Sequence, residues 1–149
     1  MSLPSLIPGY KQPEPTLISG GQPEYRAWQA AAAKGVTTVI NLRPDSELGE
    51  RDEAVEVAAA GLSYRQLPVA GVGDLTEANA RTLWRMIADE PGSVLVHCGT
   101  GNRVGALLAI GAAREGGMAP EDAIAYGKSA GLAGAEARVR EVLDAPAND

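Results

Sequence analysis

The chain has 149 residues, is 45% hydrophobic and 21% charged, and carries a formal net charge of −6. Its length suits one domain, and its composition excludes a disordered chain. One cysteine and one histidine exclude an internal disulfide, a four-cysteine zinc site and a multi-histidine metal centre. The acidic balance argues against nucleic-acid binding, because no basic stripe is available. Without phenylalanine, small aliphatic side chains must fill the core, which predicts closely packed helices.

The beginning of the sequence predicts an irregular arm rather than a targeting segment. Four prolines fall within residues 1–15, and proline fixes φ and removes a backbone donor. No segment approaches the ~18 apolar residues of a membrane span, and the first residues lack the features of a signal peptide. We therefore expect a cytoplasmic protein with no membrane partner, folded over residues 16–145 and followed by a polar tail at 146–149.

Strand and helix patterns alternate through the middle of the chain. Short β-branched apolar runs predict buried strands, and longer stretches between glycine and proline breaks predict helices. The expected strands cover 16–19, 36–42, 63–67 and 93–97; the expected helices cover 23–34, 48–60, 77–90, 103–115, 121–129 and 134–143. This order predicts a single-domain three-layer α/β/α fold with a four- or five-stranded, mostly parallel sheet. The strand ending at His97 should be central, and ligands should bind beyond the carboxyl ends of the strands.

The only cysteine and the only histidine are adjacent, at the end of a predicted strand. A glycine-containing turn and a helix follow Cys98, and Arg103 lies at the start of that helix. Glycine amides, a helix N-terminus and a guanidinium group together form a cradle for an anion. The same positive field would favour the thiolate form of Cys98, which is the nucleophilic form. The candidate phosphate-binding residues are Gly99, Thr100, Gly101, Asn102 and Arg103.

Two alternatives remain open for these residues. Cys98 can be a small buried core residue beside an ordinary glycine turn. His97 belongs to the strand, so we expect it to support the loop rather than to contact substrate, but it can equally be a satisfied core histidine.

The pattern from His97 to Arg103 resembles the active-site loop of cysteine-dependent protein tyrosine and dual-specificity phosphatases. More narrowly, residues 18–110 resemble the bacterial beta-lactamase-hydrolase-like phosphatase family, including its tyrosine-phosphatase-like fold. The resembling segments are 19–23 (SGGQP), 38–47 (TVINLRPDSE), 67–69 (LPV) and 98–103 (CGTGNR). Gln22 lies in the first of them, although the sequence alone supplies little reason to place it in the pocket.

The resemblance implies hydrolysis of phosphomonoesters without a metal or organic cofactor. Cys98 would form a phosphocysteine while Arg103 and the loop amides hold the phosphoryl oxygens. The general acid should follow the strand ending at Leu67, and Asp74 is the only carboxylate in that loop. Asp74 can instead be a charge or cap at the next helix. Arg43 and Asp45 should lie at the same sheet edge, either supporting the site or forming a surface ion pair.

The expected partner is a phosphate-bearing protein or small molecule, and phosphate or sulfate can occupy the loop. We expect no nucleic-acid partner.

Two departures from the common phosphatase pattern leave other functions open. Only four residues separate Cys98 from Arg103, where common tyrosine phosphatases have five; the narrower bacterial family shares the shorter spacing. Val104 replaces the serine or threonine that often follows the arginine, which predicts slow breakdown of the phosphocysteine. The four-residue spacing is also usual in rhodanese-type sulfurtransferases, whose cysteine carries a persulfide. A third alternative is a phosphate-binding or regulatory domain without turnover.

Overall fold

The computed structural model describes residues 2–147, and this part of the chain contains a five-stranded sheet. The strands are β1 (Lys11–Glu14), β2 (Leu17–Gly20), β3 (Val36–Asn41), β4 (Ser63–Gln66) and β5 (Ser93–His97). Their order across the sheet is β1-β2-β5-β3-β4. Strand β1 is antiparallel to β2, and the other neighbouring pairs are parallel. The mostly parallel sheet is confirmed, with the strand ending at His97 at its centre.

Helices cover both faces of this sheet, which confirms the three-layer α/β/α architecture. The α-helices of the described residues are α1 (Ala27–Ala33), α2 (Glu53–Ala59), α3 (Glu77–Ala88), α4 (Asn102–Arg114), α5 (Pro120–Ser129) and α6 (Glu136–Asp144). Apolar side chains of α3 to α6 form one buried cluster with the sheet. A second cluster joins α1 and α2 to the opposite face. Since β3, β4 and β5 are parallel, their carboxyl ends meet at one edge.

Small residues bring α4 and α5 into close contact, as the composition predicted. Helix α4 is buried from Val104 to Ala112. A Cβ atom at Gly105 would lie 2.1 Å from the backbone nitrogen of Leu132, and one at Gly127 would lie 2.6 Å from the Gly105 carbonyl oxygen. Glycine at these positions therefore lets the start of α4 approach the end of α5.

The first fifteen residues correct the expectation of an irregular surface arm. Residues Leu3–Leu6 form a 3-10 turn, and Lys11–Glu14 are the edge strand β1. Leu3, Leu6 and Ile7 are buried in the cluster that contains α1. The prediction was wrong because it relied on the number of prolines. An edge strand tolerates proline, and the apolar residues of this segment cover the sheet. The predicted limits of the folded domain at 16–145 stay a prediction, and residues 148–149 of the predicted tail lie outside the described residues.

The helix after β3 begins later than the sequence indicated. Residues Asp45–Glu47 form a 3-10 turn, and α2 starts only at Glu53. The Asp52 side chain accepts a hydrogen bond from the Val55 N–H at 3.3 Å and so caps the helix. A loop therefore separates β3 from α2 beside the carboxyl edge of the sheet. Within residues 2–147, no helix combines the length and apolar character needed to cross a membrane.

Candidate active site

Cys98 directly follows β5 and lies in the turn that leads into α4. Its side chain is fully buried, and the Gly101 N–H donates a hydrogen bond to Sγ over an N–Sγ distance of 3.1 Å. Gly101 has φ +99°, a conformation that favours glycine, and it directs the chain from strand to helix. Within residues 2–147, the N–H groups of Arg103 and Val104 make no hydrogen bond to the backbone. The start of α4 therefore offers free donors for an anion near the sulfur.

The N-terminal part of the chain supports this turn from the side. The Cys98 N–H donates to the Gly20 carbonyl at 3.2 Å, and the Gln22 N–H donates to the Gly99 carbonyl at 3.3 Å. Gly9 has φ +65°, and a Cβ there would lie 2.9 Å from the Thr100 carbonyl oxygen. The segment before β2 and the residues just after β2 thus pack directly against the cysteine loop.

Arg103 lies over the loop and is held by two other loops at the same sheet edge. Nη1 donates to Glu47 Oε2 at 3.0 Å and to the Val69 carbonyl at 2.7 Å, while Nη2 donates to Glu47 Oε1 at 2.8 Å. Nη2 also lies 3.1 Å from the place a Cβ on Gly99 would take. A guanidinium has five N–H donors, and Glu47 and Val69 use three of them. Nε–H and one Nη2–H are therefore left for the Cys98 sulfur, with which Arg103 also interacts, and for a ligand above it. These two donors form an edge suited to two oxygens of one phosphate.

Glu47 is the shared acceptor of two arginines. Besides Arg103, the Arg43 Nε donates to Glu47 Oε1 at 3.3 Å, and Arg43 Nη2 donates to the Glu47 carbonyl. Hydrogen bonds from Arg103 and then from Arg43 hold the pKa of the Glu47 carboxyl below its usual value. The same contact with Glu47 raises the pKa of Arg103. The carboxylate therefore holds both guanidinium groups beside the loop.

His97 occupies the opposite end of the cysteine loop and is fully buried. Its Nε2 lies 2.6 Å from Glu53 Oε2, and its Nδ1 lies 3.4 Å from the Cys98 carbonyl oxygen. The Trp28 ring packs against the imidazole with centroids 6.0 Å apart. Glu53 is only 3% exposed, so a carboxylate and an imidazole are buried together immediately before the cysteine. Glu53 is therefore the hydrogen-bonding partner of His97 in its predicted supporting position.

Gln22 joins the two groups of polar side chains. Its Nε2 donates to Glu53 Oε1 at 2.8 Å, and its Oε1 accepts from Arg43 Nη1 at 2.8 Å. A continuous series of polar contacts consequently runs from one end of the cysteine loop to the other. We refer to it below as the polar chain; its members, in order, are His97, Glu53, Gln22, Arg43, Glu47 and Arg103.

The side chains of Thr100 and Asn102 make contacts within the protein. Asn102 Oδ1 accepts from the N–H groups of Ala133 at 2.8 Å and Ala135 at 3.2 Å, which ties the loop to the connection between α5 and α6. Thr100 Oγ1 accepts a long hydrogen bond of 3.4 Å from the Asn102 N–H. The prediction that residues 99–103 bind phosphate therefore rests mainly on backbone amides and Arg103.

Asp74 lies in the loop after β4, within the 3-10 turn Val72–Asp74. Its Oδ2 accepts from the Ala70 N–H at 2.9 Å, so this oxygen is used inside the same loop. Helix α3 is capped by Thr76, whose Oγ1 accepts from the Asn79 N–H at 3.1 Å. Asp74 is therefore not the side chain that caps α3, and its assignment as general acid stays a prediction.

Asp45 and Arg43 make different contacts. Its Oδ1 accepts from Gln66 Nε2 at 3.0 Å, and the same Gln66 nitrogen donates to the Arg43 carbonyl at 2.8 Å. Arg43 forms its ion pair with Glu47 rather than with Asp45. Of the two predicted supporting residues, Arg43 thus belongs to the polar chain, while Asp45 holds the turn against β4.

Sequence reasoning did not single out Glu47 or Glu53. Glu47 ends the resembling segment 38–47, and this membership was the available signal. Glu53 carried no signal, because an acidic residue in the first turn of a helix ordinarily interacts favourably with the helix N-terminus. Within the described residues, no group of three or more histidine, cysteine or acidic side chains is arranged to hold a metal ion.

Comparison with known proteins points to one class. A model of the family described as "Beta-lactamase hydrolase-like protein, phosphatase-like domain" matches residues 17–115. A beta-lactamase hydrolase-like protein of Xylella fastidiosa strain Temecula1 is 38% identical over 120 residues, covering 78% of this chain and 28% of that protein. A counterpart from Agrobacterium fabrum strain C58 is 34% identical with the same coverage. The matched region is thus less than a third of these relatives.

Solved structures share the fold. A phosphatase candidate of domain family DUF442 from Shewanella putrefaciens CN-32 superposes with a TM-score of 0.70 at 26% identity, covering 95% of each chain. TpbA of P. aeruginosa, solved in complex with pTyr, superposes with a TM-score of 0.67 at 18% identity. This second comparison covers 95% of this chain and 93% of TpbA and bears on the fold alone.

The fold and the family match together define a domain of the phosphatase-like class. Within that class, the chain belongs to the phosphatase-like domain family of beta-lactamase hydrolase-like proteins.

Proposed function

We propose that the protein hydrolyses phosphomonoesters, including phosphotyrosine or dual-specificity substrates, with Cys98 as the nucleophile. The observation that carries the proposal is the Gly101 N–H donated to Cys98 Sγ at 3.1 Å, beside the Arg103 guanidinium. An amide donor and a guanidinium group thus lie next to the proposed nucleophilic sulfur. The same donors can hold the oxygens of a phosphoryl group placed over it.

The reaction would proceed in two displacements. In the first, the Cys98 thiolate attacks phosphorus, an S–P bond forms, the ester P–O bond breaks and the leaving oxygen takes a proton from a general acid. In the second, that group removes a proton from water, the water oxygen attacks phosphorus and the S–P bond breaks. Inorganic phosphate leaves and the thiolate is restored. Each step uses groups of this chain and water, so the proposal needs no metal or organic cofactor.

Asp74 is the proposed general acid. Its loop follows β4 at the sheet edge that carries Cys98, and the Val69 carbonyl fastens this loop to Arg103 at 2.7 Å. Because Oδ2 accepts from the Ala70 N–H, the free oxygen Oδ1 is the one proposed to exchange a proton with substrate.

The proposed substrate bears a phosphate group on a protein or a small molecule. The pTyr complex of TpbA is a property of that protein, and it supports a phosphate-bearing substrate for a site on this fold. Free phosphate or sulfate would occupy the same loop. We further propose that the protein acts in the cytoplasm, where the Cys98 thiol stays reduced.

Hydrolysis of an aryl phosphate by wild-type protein and by C98S tests the proposal. We expect wild-type turnover that vanadate inhibits, and a C98S variant that binds phosphate without turnover. Equal turnover by C98S would overturn the cysteine mechanism. If transfer of sulfur from thiosulfate to cyanide exceeds aryl phosphate hydrolysis, the sulfurtransferase alternative replaces the proposal. Phosphate binding by wild type without either reaction would identify a phosphate-binding domain.

A further inference from the structure

We propose that Gln22 and Glu53 are positioning residues, which hold both ends of the cysteine loop in their ligand-binding geometry through the polar chain. This inference rests on the proposed function, since it concerns the same site. Neither residue is expected to contact substrate: Glu53 is bonded to His97 and Gln22, and Gln22 is bonded to Glu53 and Arg43.

The polar chain contacts the loop at the two points that matter for chemistry. His97 immediately precedes the nucleophile, and Arg103 is the group that would bind the phosphoryl oxygens. Between them, two glycines leave the turn conformationally free unless it is held from outside. Gln22 holds it twice, because its backbone N–H donates to the Gly99 carbonyl while its side chain joins the polar chain.

Each carboxylate of the polar chain lies between two hydrogen-bond donors. Glu47 lies between Arg43 and Arg103, and Glu53 lies between His97 and the Gln22 amide. The Gln22 amide is oriented by its neighbours: its carbonyl oxygen must face the Arg43 cation, and its NH₂ must face the Glu53 carboxylate. Only a neutral side chain with both a donor and an acceptor satisfies the two ends. An ionised glutamate, which only accepts, or a methionine at this position would break the series.

The same reasoning assigns the proton on His97. An ionised carboxylate only accepts hydrogen bonds, and Glu53 Oε1 already accepts from Gln22. Glu53 Oε2, 2.6 Å from His97 Nε2, therefore requires a proton on Nε2, whereas the Nδ1 contact with the Cys98 carbonyl, at 3.4 Å, is too long to require one on Nδ1. In E53Q, a neutral amide replaces this carboxylate, and its oxygen would still accept the hydrogen bond from Gln22 Nε2. Its NH₂ would then face Nε2, and the ring proton would move to Nδ1, opposite the Cys98 carbonyl at 3.4 Å.

The first experiment measures binding of inorganic phosphate by calorimetry, together with kcat and KM for an aryl phosphate. We expect Q22M to lose about tenfold in phosphate affinity and at least as much in kcat/KM, because small displacements of catalytic groups are costly. Gln66 also hydrogen-bonds next to Arg43 but lies outside the polar chain, so Q66M is the matched control. The two variants should have similar melting temperatures, and Q66M should bind phosphate as the wild type does.

The double variant Q22M/E53Q tests whether Gln22 and Glu53 act through one network or through two independent contacts. If both residues act through one network, the double variant should bind phosphate no more weakly than the worse single variant. Full additivity of the two losses would overturn the network. Wild-type phosphate affinity in Q22M, at any melting temperature, would overturn the positioning role of Gln22.

The second experiment uses the single histidine, whose imidazole ¹⁵N signals are free of overlap. At about neutral pH, the wild type should show a proton on Nε2, and E53Q should show the neutral ring with the proton on Nδ1. A ring that keeps its Nε2–H form in E53Q would overturn the role assigned to Glu53. Neither phosphate affinity nor this signal requires turnover. A wild type that binds phosphate without hydrolysing it would therefore overturn the proposed function alone.

Discussion

Glu47 and Arg103, 56 positions apart in sequence, meet edge to edge at the candidate site, with oxygen–nitrogen distances of 3.0 and 2.8 Å. The carboxylate covers one edge of the guanidinium, and with the Val69 carbonyl it leaves the Nε–H and one Nη2–H for the Cys98 sulfur and a ligand. Since Glu47 also accepts from Arg43, one carboxylate sets the position of two cations.

Replacing Glu47 should lower kcat/KM for phosphate esters. In E47Q the amide oxygen can take the place of Oε1, but the NH₂ in the place of Oε2 cannot accept from Arg103 Nη1, so Arg103 loses one of its two contacts with residue 47 and its fixed orientation. We expect kcat/KM for an aryl phosphate to fall about tenfold. Glu50, an exposed acid in the same connection, is the control, and E50Q removes an equal charge. A wild-type rate in E47Q would show that the ion pair does not orient Arg103.

The same carboxylate should contribute to acid stability. Hydrogen bonds from Arg103 lower the pKa of Glu47 in the folded protein below its usual value. Its stabilisation is therefore complete above the ordinary glutamate pKa and is lost as pH falls through the lower, folded-state value. We expect the wild-type melting temperature to fall between about pH 5 and about pH 2, and E47Q to lose less over that range. Equal acid losses in both proteins would contradict this contribution.

Asp74 should control the basic limb of the pH–rate profile. A general acid must carry its proton at the start of the first displacement, so activity falls when it ionises. We expect D74N to lose about a hundredfold in kcat and to lose the basic limb. D89N, a substitution of an exposed aspartate after α3, should keep the wild-type profile. An unchanged profile in D74N would reject the assignment.

Val104 should make breakdown of the phosphocysteine slow. Its side chain is fully buried directly after Arg103 and carries no hydroxyl that could donate to the leaving thiolate. Rapid mixing with an aryl phosphate should show a burst of one product per Cys98 before slower turnover. We expect V104T to raise the steady rate, at a folding cost of about 1–2 kcal/mol for the buried hydroxyl. A wild-type progress curve without a burst would place the slow step elsewhere.

Gly105 should be essential for the packing of α4. A Cβ there would meet the Leu132 backbone nitrogen at 2.1 Å, and backbone cannot move aside as a flexible side chain can. We expect G105A to destabilise the protein by about 1–3 kcal/mol in urea unfolding. Gly134 has open space around its position, so G134A should change stability by less than about 0.5 kcal/mol. Equal effects of the two substitutions would show that the α4–α5 contact readily relaxes.

The elements that the sequence predicted best were those with strong local patterns. The strand 93–97 matches β5 at both ends, since a β-branched apolar run bounded by glycine and histidine allows little else. The predictions failed where tertiary contacts overrule local pattern. Prolines in residues 1–15 suggested an irregular arm, yet strand β1 forms because β2 supplies hydrogen-bond partners. The late start of α2 has a local cause instead: Gly49 adopts φ +64°, which a helix does not allow, so residues 48–52 form a loop beside the site.

The sequence by itself determined the cysteine loop, because Cys98, the glycines and Arg103 are near neighbours whose spacing makes a strand-to-helix turn. It could not determine what surrounds that loop. Glu53 reaches His97 across 44 positions, and Gln22 reaches Glu53 across 31. Contacts at such separations leave no periodic pattern in the chain. They exist because parallel pairing places the carboxyl ends of β2, β5 and β3 side by side, and only the folded sheet brings those side chains within hydrogen-bond distance.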